Sequence, residues 1–124
     1  LIDYRQFCRP QAPAMNNISV IDLKALLDSG AGDVVLLDVR NPPEADVATI
    51  PGGKLIPLAQ IESGEAMDQI RALAADQRLF VHCKLGGRSA RAVELLAQQG
   101  IDATNVTGGI DAWSQQVDPS VPRY

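Results

Sequence analysis

The sequence predicts an α/β domain: a mostly parallel sheet with helices on both faces. Three observations carry that reading. Short apolar runs recur at 34–39, 54–56, 79–82 and 103–107. Stretches with apolar residues at helical spacing alternate with them. Glycine and proline clusters punctuate the boundaries.

Taken in order, residues 1–17 read as a linker arm. Pro10, Pro13 and the Asn16-Asn17 pair interrupt any period there, and Tyr4 and Phe7 are its large anchors. Order begins at Ile18. Ser19 caps a helix, with Asp22 three residues on and Leu23, Leu26 and Leu27 forming its apolar face. Residues 30–33 end it. The run 34–39, apolar and partly β-branched, is a buried parallel strand. Pro42-Pro43 stops it, and 43–46 opens a single helical turn. Pro51-Gly52-Gly53 turns the chain into a second strand, 54–56. A helix lies within 61–75, read as starting at Glu65, with Met67, Ile70, Leu73 and Ala74 on one face. Residues 79–82 form a third strand, 83–88 a loop, and 89–99 a helix with Ala92, Val93, Leu95 and Leu96 apolar and Gly100 as its stop. Another strand spans 103–107, and Gly108-Gly109 turns into a short helix, 110–116. The tail 117–124, with Pro119 and Pro122, reads as a second arm. The expected organisation is arm 1–17, one domain 18–116 and tail 117–124.

Composition bounds the function. A chain of 124 residues suits one domain, and 46% hydrophobic residues suffice for a core. Eleven basic residues stand against 15 acidic, net −4, with 4% aromatics. A nucleic-acid binder wants the reverse, a basic face with stacking rings, so no nucleic-acid partner is expected. No apolar run approaches the roughly 20 residues of a membrane span. No charged-then-apolar leader opens the chain, so the reading is no signal peptide and a cytoplasmic location. The first residue is Leu1, not Met, which reads as a piece of something longer. The only cysteines are Cys8 and Cys83 and the only histidine is His82. That is too small a set for a zinc centre or a secreted disulfide framework, and neither metal nor cofactor is expected.

The informative segment is Val81-His82-Cys83-Lys84-Leu85-Gly86-Gly87-Arg88-Ser89. A cysteine leaves a buried strand, enters a glycine-rich loop and meets a helix start. Glycines let the backbone curl with its N–H groups inward, as an anion nest. The helix start adds roughly half a positive charge and unpaired donors. Lys84 and Arg88 add full charges nearby. Each effect favours thiolate over thiol, so Cys83 should have a depressed pKa and be a competent nucleophile toward sulfane sulfur. The bland reading of an isolated cysteine after a strand is a small core residue. The Gly-Gly-Arg-Ser context favours the reactive one.

This loop, Cys83 to Ser89, resembles the active-site loop of the rhodanese family. Asp38-Val39-Arg40 followed by Glu44 resembles that family's first signature, and Ile50-Pro51-Gly52-Gly53-Lys54-Leu55-Ile56-Pro57 its second. Thr107-Gly108-Gly109-Ile110-Asp111-Ala112-Trp113 resembles its closing signature. The resemblance covers 18–116 and implies a five-stranded parallel sheet flanked by helices. It further implies a sulfurtransferase in which Cys83 is catalytic and carries sulfur as a persulfide. Lys84, Leu85, Gly86, Gly87, Arg88 and Ser89 would bind the substrate. One departure is the Ala48-Thr49 pair, where the family often has Gly-His before the Ile-Pro-Gly turn. Cysteine phosphatases have a similar loop with one residue more between Cys and Arg, whereas here four intervene, Lys84 to Gly87. The shorter ring suits a single sulfur better than a tetrahedral phosphate, and a phosphatase stands as the alternative. A non-catalytic binding module is a further one, disfavoured by the intact Cys83 loop.

Other residues have two readings each. His82 should face away from Cys83, since strand neighbours alternate, and so should pack rather than act as a base. Arg88 is either a charge over the persulfide or a brace toward Asp38 or Glu44. Asp38 and Arg40 read as support that stitches the strand end to the Glu44 turn. Lys84 should point outward to an anionic donor or a partner. Trp113 reads as a packing plug. Cys8 is a free thiol by default, a resolving partner for Cys83 on the sharper reading.

The arms carry a second resemblance. Ile2-Asp3-Tyr4-Arg5-Gln6-Phe7-Cys8 and the tail from Val117 to Tyr124 resemble segments of proteins that fuse an adenylyltransferase to a C-terminal rhodanese domain, the molybdopterin-synthase adenylyltransferase/sulfurtransferase group. That resemblance implies a cysteine desulfurase or thiosulfate as sulfur donor and a ubiquitin-like sulfur-carrier protein as acceptor, in molybdopterin, thiamine or tRNA thiolation. The adenylyltransferase domain would complete the full-length protein. The chain has no Gly-Lys-Ser/Thr phosphate loop for adenylation itself.

Overall fold

The computed structural model describes residues 16–124. Tyr4, Phe7, Cys8 and the rest of the N-terminal segment through residue 15 lie outside the described residues. The elements in chain order are β1 (Asn17–Ile18), α1 (Val20–Asp28), β2 (Val34–Asp38), α2 (Pro42–Val47), β3 (Lys54–Leu55), α3 (Leu58–Glu62), α4 (Met67–Ala74), β4 (Arg78–His82), α5 (Gly87–Gln98), β5 (Ala103–Val106) and α6 (Gly109–Gln116). The five strands form one parallel sheet in the order β1-β5-β4-β2-β3.

Side-chain alternation divides the core. Val35, Leu37, Leu79 and Val81 face one layer with Ile61 of α3, Ile70 of α4 and Ala92 and Leu96 of α5. Leu36 and Phe80 face the other with Leu23 of α1 and Ile110 and Trp113 of α6. A strand covered on both sides must be apolar at every position, which explains the uninterrupted runs at 34–37 and 79–81. Ser19 caps α1 as expected, its Oγ accepting from the Asp22 amide at 3.0 Å. Trp113 is buried against the sheet, as a plug would be.

Four expectations are corrected. The arm ends earlier than Ile18, because Asn17 pairs with Asn105 as the fifth strand. A two-residue polar-apolar strand carries no periodicity to read. The helix expected from Glu65 is α4, which starts at Met67, and a separate short helix, α3, precedes it. Gly64 stands between them with φ +83°, which breaks the helical path, and the Ser63 hydroxyl closes the end of α3 on the Gln60 carbonyl. α5 begins at Gly87, not Ser89, since Gly86 at φ +114° is its cap. The tail is not an arm. Val121 is buried among Trp113 and its neighbours, its carbonyl accepts from Ser114 Oγ at 2.6 Å, and Arg123 pairs with Asp111 at 3.0 Å.

Candidate active site

β2 and β4 are adjacent, so their carboxyl ends bring Asp38, Arg40 and Cys83 to one edge of the sheet. Reactive loops in parallel α/β folds sit at that edge. Cys83 follows the last residue of β4 and is only 1% exposed. The chain turns at once around its sulfur. The Gly86 N–H donates to Cys83 Sγ at 3.1 Å, and Ser89 Oγ lies 3.4 Å from it. Gly86 closes this curl in the left-handed region, where a side chain would be strained.

The carbonyls of the loop are held outward. Ile110 N–H donates to the Cys83 carbonyl at 2.9 Å and Asp111 N–H to that of Lys84 at 3.1 Å, both from the first turn of α6. Across a trans peptide the N–H points opposite to the C=O, so anchoring carbonyls outward turns amides inward. The contact demands Gly109: a Cβ there would stand 2.3 Å from the Cys83 carbonyl oxygen and 2.5 Å from that of Lys84. Gly108-Gly109 makes the expected turn into α6. Its closer task is to seat α6 against the cysteine loop, and the signal was the glycine pair opening a helix.

His82 joins the same anchor. It is fully buried and shares the Phe80 face, away from Cys83, as strand parity requires. Its Nδ1 lies 3.2 Å from the Cys83 carbonyl oxygen, an acceptor, so that nitrogen carries the proton. Burial holds the imidazole below its usual range and outweighs the Asp38 carboxylate. Among the described residues its Nε2 has no hydrogen-bond partner.

Two opposing effects set the state of Cys83. Burial pushes its thiol up. The Ser89 hydroxyl and the amides of Ser89, Gly86 and Leu85 together outweigh burial and leave the pKa below the ordinary value. The side chains of Lys84 and Arg88 have their direct contacts elsewhere, although the Arg88 charge and Cys83 still attract. Lys84 does not point freely outward, since its ammonium lies 4.6 Å from the centre of the Tyr124 ring. Leu85 turns its side chain to solvent, 64% exposed, while its amide serves the sulfur. Gly87 is simply the first residue of α5.

Arg88 resolves to one of its two geometries. Its guanidinium makes a two-point pair with Glu44, 2.6 and 2.8 Å, and so braces α5 to α2. That pair, aided by the Tyr124 hydroxyl and the Asn41 amide, overcomes burial and holds the Glu44 carboxyl at about 2. Arg88 is correspondingly raised. Beneath lies Arg40, 0% exposed, pairing through Nε and an NH2 group with both Asp38 oxygens at 2.9 and 2.7 Å. It also donates to the Ala48 carbonyl at 2.8 Å, which ties the Ala48-Thr49 turn to the strand end. A buried pair of this kind adds little net stability but fixes geometry, because each charge is costly without its partner. Tyr124 completes the group: its hydroxyl donates to Glu44 at 2.8 Å and accepts from Arg40 at 2.9 Å. Neither Tyr124 nor Asn105, whose Oδ1 accepts from Ser89 at 2.6 Å, stood out in the sequence. Both are ordinary polar residues far along the chain from Cys83. Among the described residues no cluster of side chains is fit to hold a metal, and no helix is long and apolar enough to cross a membrane.

A five-stranded parallel sheet with a cysteine at a strand end, its sulfur met by backbone amides, defines an α/β protein with an anion-cradling cysteine loop. The Rhodanese-like domain family model matches residues 19–116, and the chain belongs to the rhodanese family, whose sulfurtransferases include relatives of this chain. An uncharacterized 16.5 kDa protein in the psaL 5' region of Synechococcus elongatus is 44% identical over 110 residues, covering 86% of this chain and 73% of that protein. The probable adenylyltransferase/sulfurtransferase MoeZ of Mycobacterium tuberculosis is 38% identical across 100% of this chain, which spans 32% of that relative's length. Among solved structures, a rhodanese-like domain protein from Staphylococcus aureus superposes with a TM-score of 0.71 at 34% identity, covering 89% of this chain and 99% of that one. The human single-domain sulfurtransferase TSTD1 gives 0.66 at 28% identity, covering 83% and 98%.

Proposed function

We propose that this domain is a sulfurtransferase that carries sulfane sulfur as a persulfide on Cys83. The observation that carries the reading is the convergence of the Leu85, Gly86 and Ser89 amides and the Ser89 hydroxyl on a buried Sγ. Such a cradle stabilises an anion on sulfur without a neighbouring base. The Cys83 thiolate attacks the sulfane sulfur of thiosulfate or of a desulfurase persulfide. An S–S bond forms, and sulfite or the donor thiolate leaves with the electron pair. The charge now sits on the outer sulfur, which the same amides receive. Arg88, neutralised by Glu44, shapes the loop rim in this scheme, and Lys84 and Leu85 meet the incoming molecule.

The similarity of this whole chain to 32% of MoeZ supports an adenylyltransferase elsewhere in the natural protein and a ubiquitin-like sulfur carrier as acceptor. There Cys83–S–S⁻ attacks the adenylated carrier carboxyl and displaces AMP. A second thiol then cleaves the acyl disulfide to release a thiocarboxylate. A reducing compartment such as the cytoplasm suits an unprotected thiolate.

The test is intact-mass measurement of the reduced domain after thiosulfate, beside Cys83→Ser. A gain of about 32 Da in the first alone, one sulfane atom by thiol exchange, is expected. No gain with either thiosulfate or a desulfurase donor, together with aryl phosphate hydrolysis, would replace this reading with a phosphatase.

A further inference from the structure

We propose that Asn105 is a positioning residue that decides where the single Ser89 proton goes, and through it how well Cys83 holds a thiolate. Ser89 Oγ is fully buried and has three acceptors within reach: Asn105 Oδ1 at 2.6 Å, the Gly86 carbonyl at 3.2 Å and Cys83 Sγ at 3.4 Å. A hydroxyl has one proton to give. With the Asn105 oxygen toward Ser89, the amide at 2.6 Å takes most of that proton and the sulfur at 3.4 Å the lesser share. A half-turn of the carboxamide puts its NH2 group in the same place. The amide then donates to Ser89, and the Ser89 proton passes to the sulfur, because an anionic acceptor outcompetes a neutral carbonyl.

The chain continues outward. Asn105 Nδ2 donates to Asn17 Oδ1 at 3.3 Å, across the β1–β5 register that pairs these two residues. Turning the Asn105 amide reverses the polarity of its bond to Ser89 and frees the Ser89 proton for Cys83. The series therefore points donors at the sulfur when it is anionic. Once a persulfide forms, the charge moves one bond outward, and the series relaxes toward Asn105. Asn105 thus serves the loading step more than the holding of sulfur.

The charged groups around the loop have other partners. Arg88 of α5 pairs with Glu44 of α2, Lys84 lies on the Tyr124 ring of the tail, and Asp111 of α6 pairs with Arg123. His82 of β4 bonds the Cys83 carbonyl, and Arg40 pairs with Asp38 at the end of β2. None of these contacts involves Ser89 or Asn105. The inference rests on Cys83 being the nucleophile of the proposed function, but its test reads the thiolate and not sulfur transfer, so the two can fail separately.

The experiment is the pH profile of Cys83 alkylation by iodoacetamide in Asn105→Asp and Asn105→Ala, each alone and with Ser89→Ala. The aspartate holds the Ser89 proton permanently and should raise the midpoint by about one pH unit; the alanine, which removes only the amide donor that polarises the hydroxyl, should raise it by roughly half a unit. With Ser89→Ala as background, Asn105→Ala should shift nothing further, and the aspartate shift should at least halve. Should the buried aspartate prevent folding, the alanine pair carries the test alone. Equal shifts with and without the Ser89 hydroxyl, or no shift in any variant, would overturn the proposal.

Discussion

Glu44 and Arg88 lie 44 positions apart in sequence and meet as a two-point ion pair, 2.6 and 2.8 Å, that ties α2 to the helix carrying the cysteine loop. The pair is only partly shielded, with side chains 35% and 20% exposed for Arg88 and Glu44. Its worth is therefore modest, about 1–2 kcal/mol after screening.

The pH dependence follows from the direction of the Glu44 shift. Its folded-state pKa is depressed, from 4.5 to about 2. The stabilisation is fully present above the unfolded value and is lost as pH falls from about 4.5 toward 2. Thermal midpoints measured down this acid range should fall less steeply in Glu44→Gln than in the parent. Parallel curves would show that the pair contributes nothing measurable.

Gly109→Ala tests the anchor between α6 and the loop. A Cβ 2.3 Å from a backbone oxygen forces the loop or the helix to move, and the position also has φ +58°. The expected loss is about 2–4 kcal/mol in denaturant unfolding. The moved carbonyls should also turn amides away from Sγ and slow Cys83 alkylation near neutral pH. Gly30→Ala, with open space around its Cβ and a similar φ of +78°, separates backbone strain from the loop clash. It should cost stability without slowing alkylation.

The tail offers a third prediction. Truncation before Val117 removes buried Val121 and the Tyr124 hydroxyl, and leaves Arg40, 0% exposed, short of one acceptor. A loss of roughly 2–4 kcal/mol is expected. Tyr124→Phe alone should cost about 1 kcal/mol, since the ring keeps its packing and only the hydroxyl bonds are lost. A truncated domain as stable as the parent would restore the reading of 117–124 as an arm.

Much of this was legible from residues. Apolar runs at 34–37 and 79–81 announce strands covered on both faces, and the Cys83 loop announces an anion cradle by its glycines and helix start. Ser19, Gly100 and Trp113 likewise reveal their tasks locally, because a cap, a stop or a large apolar ring acts on its near neighbours or on any core. Sequence by itself therefore determined the fold class, the cysteine at the strand end and the local groups that surround its sulfur. Only the tertiary structure decided which distant partners complete the site. Asn17 becomes a strand solely because the exposed edge of β5 is there to pair with it. The helix around residue 64 breaks where the backbone turns left-handed, and the tail folds back because Val121 finds the Trp113 layer. Glu44 rather than Asp38 takes Arg88, Tyr124 takes Lys84, and Asn105 takes Ser89. Hydrogen bonds and ion pairs have ranges of a few ångströms, and chain separation says nothing about which polar groups fall within that range once a sheet has formed.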